Sequence, residues 1–100
     1  MTDEAPSPSE GAPARRKAII RNRRGLHARA AAKFVKLAFE FTSEITVAKG
    51  ESAVSGRSIM GLMMLAAGPG TEIELAATGP DAERAVDALA ALVTGGFDES

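Results

Sequence analysis

The stretch SEITVAKGESAVS, residues 43–55, decides the fold. In SEITVA, Ile45 and Val47 fall on one side of an extended chain and Glu44 and Thr46 on the other, the period-2 pattern of a half-buried strand. KGE supplies turn chemistry, and SAVS follows as a second short strand. The stretch therefore reads as a hairpin, which sets two antiparallel strands side by side in the middle of the chain.

The flanking segments are helical. From Ala28 to about Phe39, Ala31, Phe34, Val35 and Ala38 share one face, while Arg29, Lys33 and Lys36 line the other. After the hairpin, SIMGLMMLAA reads as a short helix with Ser58 at its N-cap, closed by the breaker GPG. TEIELAAT alternates as a further strand. From about Asp81 to Thr94, the residues Ala82, Ala85, Val86, Leu89, Leu92 and Val93 form one apolar stripe that stops at Gly95-Gly96. At the start, KAIIRN is a β-rich run ended by RRG, although adjacent Ile19 and Ile20 spoil its alternation. The order β-α-β-β-α-β-α predicts a two-layer α+β domain, an antiparallel sheet covered on one face by helices. Propensity alone leaves the strand order open.

A chain of 100 residues builds one core. Residues 1–15 carry proline and serine and almost nothing that packs, so they read as a disordered tail ahead of a folded domain at 16–100. A net charge of -1 gives no global field for nucleic acid, and aromatic side chains interleaved with basic ones are lacking. There is no cysteine, which excludes disulfide staples and thiol catalysis. No apolar run approaches the ~20 residues of a bilayer span, and the acidic N-terminus is unlike a signal peptide, so the expectation is a cytoplasmic protein with no membrane insertion.

The single histidine, His27, lies in GLHARAAAKFV, residues 25–35, immediately before the first helix. Backbone N–H groups at a helix start lack intrahelical partners, and the helix dipole is positive there, a combination that suits an anion. A neutral imidazole can accept a phosphoryl group covalently, and the product would lie beside the N–H groups of Ala28 and Arg29 and within reach of the Arg29 guanidinium. From the residues alone, a cap or a partly buried ring is the commoner role for a lone histidine. No second histidine and no cysteine exists to join it in a metal site.

GLHARAAAKFV resembles the active-site segment of the HPr family, the histidine-containing phosphocarriers of the bacterial phosphotransferase system. That pattern runs glycine, an apolar residue, histidine, a variable residue, arginine, proline, alanine. The likeness continues without a gap from about Lys17 to Phe97, and TEIELAATGP and the closing GGFDES look most like the nitrogen-related branch. The resemblance implies an open-faced β-sandwich, a four-stranded antiparallel sheet in the order 1-4-2-3 with three helices on one face. It implies that His27 takes a phosphoryl group through Nδ1 from enzyme I and passes it to an enzyme IIA-type protein, with Arg29 contacting the group. The carrier would be a monomer without cofactor or metal, a substrate of enzyme I and not itself an enzyme. Ala30 stands where the family usually has proline; alanine fills the place at slight entropic cost and leaves the helix start less rigid.

In the short helix, burying Ile59, Leu62 and Met63 on the core side would leave Met60 and Met64 exposed. Read alone, the pattern fits a wholly buried helix as well. Beside His27, an apolar surface of Ile59, Met60, Met63 and Met64 next to Lys33 and Arg29 makes a soft docking patch for acidic partners. Ser58 matches the serine that an ATP-dependent HPr kinase phosphorylates in some bacteria, and it is equally an ordinary N-cap. The readings set against a regulatory, nitrogen-related carrier are a carrier for sugar uptake and a non-catalytic interaction domain of similar fold.

Overall fold

The hairpin forms where its sequence puts it. In the computed structural model, which describes residues 13–99, strands β2 (Glu44–Lys49) and β3 (Ser52–Ser55) pair antiparallel, with Lys49 opposite Ser52. Gly50 takes φ +60° at the first of the two turn positions, where a twist-matched hairpin turn calls for glycine. Around it stand β1 (Ala14–Ile19), α1 (Ala28–Ala38), α2 (Ile59–Met64), β4 (Glu72–Thr78), α3 (Ala82–Thr94) and a closing 3-10 turn at Gly96–Asp98. All pairings are antiparallel, and the sheet order is β1-β4-β2-β3. This is the order that the resemblance implied.

One face of the sheet is covered. Val47, Ile73 and Leu75 from the strands and Ile20 just past β1 meet Phe34, Leu62, Leu89, Val86 and Val93 from the helices, all fully buried. The α1 and α3 stripes fall as their spacing predicts, with Leu92 only half-buried at the margin. Cations close several loose ends. Arg57 Nη2 donates to the carbonyls of Ala38, Phe41 and Ser43 at 3.2, 2.6 and 3.0 Å, where α1 ends. Lys49 Nζ donates to the Leu65 carbonyl at 2.9 Å just past α2. Positive groups satisfy the last carbonyls of a helix and oppose its negative end.

Two boundaries differ from the sequence reading. The first strand begins at Ala14, three residues before KAIIRN and two before the expected domain start; residues 1–12 of the expected tail lie outside the described residues. The cause is pairing: Ala14 to Ile19 run opposite Ala77 to Glu72 of β4, and Ile20 adds one more bond, donating its N–H to the Thr71 carbonyl at 2.9 Å. Ala14, Ala18 and Ile20 then face the core and Ile19 the open side, which resolves the broken alternation. The helix α2 stops at Met64, three residues short of the expected Ala67, and Ala66 follows with a left-handed φ of +54°.

Asp81 links the two halves of the covered face. It precedes α3 but makes no side-chain cap for it. Its carboxylate instead accepts from the backbone N–H of Thr42 at 2.9 Å and of Ser43 at 3.0 Å, and from the Ser43 hydroxyl. These bonds, the serine hydroxyl foremost, lower its pKa from 3.8 to about 2. A carboxyl depressed in the fold stabilises it above the unfolded value, and that contribution is lost as pH falls from about 4 toward about 2. Acid titration followed by circular dichroism should show this loss. Asp81→Asn should flatten it and lower stability at pH 7 by about 1 kcal/mol.

Candidate functional site

The loop between β1 and α1 is held at both ends of a sharp turn. Gly25 adopts φ +64° and donates its N–H to the Asn22 carbonyl at 3.3 Å, while the buried Asn22 amide donates back to the Gly25 carbonyl at 2.8 Å. Leu26 is buried and donates its N–H to the Ala67 carbonyl at 3.0 Å, tying the loop to the chain beyond α2. The next residue, His27, is thereby placed as the N-cap of α1. Its carbonyl accepts the first helical bond from Ala31 at 2.8 Å, but its side chain caps nothing. The N–H groups of Ala28, Arg29 and Ala30 therefore begin the helix without intrahelical acceptors. Ala30 is fully buried at the third position and keeps an N–H that proline would lack.

The imidazole turns toward the other end of the chain. His27 Nε2 lies 2.7 Å from Glu99 Oε2, and Glu99 Oε1 accepts from the Asn22 amide at 3.2 Å. Phe97 delivers Glu99 there: its ring is fully buried, and its backbone and that of Asp98 take left-handed φ values of +57° and +62°. Each such residue costs about 1–2 kcal/mol, which the burial of a phenyl ring offsets. Lys33 Nζ donates to the Phe97 carbonyl at 2.7 Å and fixes the turn. The hydrogen bond with His27 holds the Glu99 carboxyl below its ordinary value; Asn22 and Lys33 act the same way, and partial burial opposes them.

Arg24, His27, Arg29, Lys33, Asp98 and Glu99 line one cleft of about 380 Å³. It gathers the expected His27, Arg29 and Lys33, with Ala28 at the helix start above it. Lys33 spends one of its three N–H donors on the Phe97 carbonyl and keeps its charge in the cleft. Sequence reasoning missed Asn22, Arg24, Asp98 and Glu99. The closing GGFDES had carried a likeness, but nothing local to it indicates where Glu99 lands. Among the described residues, no group of three or more metal-ligating side chains gathers.

All four apolar residues of the expected docking patch reach solvent. Met60 and Met64 are 73% and 77% exposed, and Ile59 and Met63, expected on the core side, are 41% and 43% exposed. A helix of six residues lying over the hairpin turns only one residue, Leu62, fully inward. A shallow depression shared by His27, Arg24, Met63 and Ala67 joins this apolar patch to the cleft. Ser58 is a true N-cap, its hydroxyl oxygen accepting from the Gly61 N–H at 2.9 Å.

Residues 14–95 match the family described as "PTS HPr component phosphorylation site". The chain belongs to the HPr family of phosphocarrier proteins. It is 49% identical to the phosphocarrier protein NPr of Shewanella violacea over 85% of this chain and 93% of that protein. It is 54% identical to the phosphocarrier protein HPr of Neisseria meningitidis serogroup A over 80% of this chain and 90% of that one. The crystal structure of HPr from Thermoanaerobacter tengcongensis superposes with a TM-score of 0.83 at 41% identity, covering 87% of this chain and 98% of the other. Similarity thus extends to proteins named both HPr and NPr, and it supports a phosphocarrier role in the phosphotransferase system. Among the described residues, no helix is long and apolar enough to cross a membrane.

Proposed function

We propose that this HPr-family protein carries a phosphoryl group on His27, taken from the phosphohistidine of enzyme I and given to an enzyme IIA-type protein. The observation that carries the reading is the position of His27, at a helix start and inside a cleft that also holds Arg24, Arg29 and Lys33. The unpartnered N–H groups of Ala28 and Arg29 and the neighbouring guanidinium suit a dianion. The partner supplies the donor chemistry, so the protein acts as a monomeric, cytoplasmic substrate of enzyme I and needs no cofactor of its own. Incubation with enzyme I and phosphoenolpyruvate should add one acid-labile, base-stable phosphate; no incorporation overturns the reading.

Arg29→Ala should still accept phosphate, about tenfold more slowly, because one charge-assisted contact is worth about 1.5–3 kcal/mol and is only partly expressed in the transition state. An unchanged rate would assign the holding to the backbone groups alone.

The likeness of the closing segment and of the S. violacea relative to the nitrogen-related branch favours a regulatory relay. Transfer from the phosphorylated protein should be faster to a nitrogen-related enzyme IIA protein than to a sugar-specific one, and the reverse order would favour sugar uptake. Docking in this reading uses Ile59, Met60, Met63 and Met64, which are exposed and continuous with the cleft.

Ser58 is the regulatory position, open to an HPr kinase where the host has one. A phosphate there gains from the start of α2 but sets about two negative charges beside the apolar Ile59 and Met60, which a partner must cover. Ser58→Asp should raise KM for the protein in the enzyme I reaction several-fold and leave the thermal midpoint equal or slightly higher. Unchanged KM would make Ser58 a cap and nothing more.

A further inference from the structure

We propose that Glu99 is a positioning residue for phosphoryl transfer, its carboxylate holding the His27 proton on Nε2 so that Nδ1 is presented as the attacking nitrogen. The inference rests on the carrier reading of His27. An ionised carboxylate can only accept a hydrogen bond, so at 2.7 Å from Glu99 Oε2 the ring nitrogen Nε2 must donate. The neutral imidazole then has its lone pair on Nδ1, for which the described residues provide no hydrogen-bond partner. Which nitrogen of a histidine reacts is set by the bond that the other one makes.

The carboxylate is not held by chance. Asn22 donates through one amide nitrogen to Glu99 and to the Gly25 carbonyl, so a single buried side chain ties the C-terminal segment to the turn that carries His27. Buried Phe97, two residues earlier, and the bond of Lys33 to its carbonyl fix the approach. The side chains of His27 and Glu99 are only 16% and 23% exposed, so water screens their interaction less than it would at an open surface.

The step balances without a proton leaving the site. The Nδ1 lone pair forms the new N–P bond, the donor's P–N bond breaks, and its electron pair returns to the donor ring. His27 keeps the Nε2 proton and becomes a phosphoimidazolium, whose positive charge lies against Glu99. In onward transfer the N–P electrons return to Nδ1, and the same tautomer is restored. The carboxylates of Asp98 and Glu99 repel the incoming phosphoryl group, and Arg24, Arg29 and Lys33 in the same cleft offset that repulsion.

The test uses the full chain, labelled with 15N. Ring nitrogen shifts of the unphosphorylated protein should show one tautomer, protonated at Nε2. Glu99→Ala should show exchange between the two tautomers in an otherwise unchanged amide spectrum, and its kcat in the enzyme I reaction should fall about tenfold with KM changed less than twofold. Glu99→Gln keeps an acceptor oxygen without the charge, so it should retain the single tautomer and a kcat between the two. Wild-type shifts together with wild-type kcat in Glu99→Ala overturn the proposal, as does a rise in KM at constant kcat, which would make Glu99 a docking residue. If the wild-type protein takes no phosphate on His27, the carrier reading falls, and the shifts alone judge the lock on the ring.

Discussion

His27→Ala is expected to fold as the parent does and to accept no phosphate from enzyme I. The fold should tolerate the change because the imidazole caps nothing, belongs to no apolar stripe and has Glu99 as its side-chain partner. Removing a mostly buried side chain that lies outside the apolar core costs about 1 kcal/mol, which moves the midpoint of a domain this size by about 4–8 °C. Function should not tolerate it. The chain has no other histidine and no cysteine, so no second side chain of comparable nucleophilicity near neutral pH can take over. Phosphate incorporation followed by intact-mass analysis should fall by at least about a thousandfold, to the level of a control without enzyme I. Incorporation at the parent rate would place the acceptor elsewhere and leave His27 only its bond with Glu99.

The parts of this arrangement that were legible in the sequence are those written in local periodicity. Ile45 and Val47 alternate, Phe34 and Val35 repeat with the helical period, and the elements they mark stand where expected. What was hidden depends on residues far apart in the chain. Ala14 joins a strand only because Ala77 lies opposite, a fact of pairing that no run of six residues contains. Ile59 and Met63 have the spacing of a core face, yet α2 is too short to bury more than Leu62 fully. Glu99 reaches His27 across 72 positions by way of three consecutive left-handed residues, Gly96, Phe97 and Asp98, of which Phe97 is a residue type that gives no sign of such a turn. The candidate acceptor His27 stood out through the resemblance of GLHARAAAKFV, because a lone histidine at a helix start read by itself serves as well for a cap. Its hydrogen-bond partner Glu99 did not.

Gly25→Ala should destabilise the protein by about 3 kcal/mol, lowering the thermal midpoint by roughly 12–24 °C, and should impair phosphate acceptance although His27 is untouched. A left-handed φ of +64° costs alanine about 1 kcal/mol over glycine. The larger part comes from space: a Cβ at this position would lie 2.3 Å from the Ala67 carbonyl oxygen and 2.9 Å from the Gly68 Cα. Both are backbone atoms and cannot swing aside. Relieving the contact must lengthen the bond from the Leu26 N–H to that same carbonyl, now 3.0 Å, and draw Leu26 from the core. His27 follows directly and would move with it, away from Glu99 and the helix start. Gly50 offers the comparison, since its φ of +60° is nearly the same while nothing lies within 4 Å of an added Cβ. Gly50→Ala should therefore cost only the conformational part, about 1 kcal/mol, and leave phosphate acceptance at the parent rate. Equal losses in the two variants would mean that backbone conformation alone sets the cost, and that the close approach of Gly25 to Ala67 does not hold His27 in place.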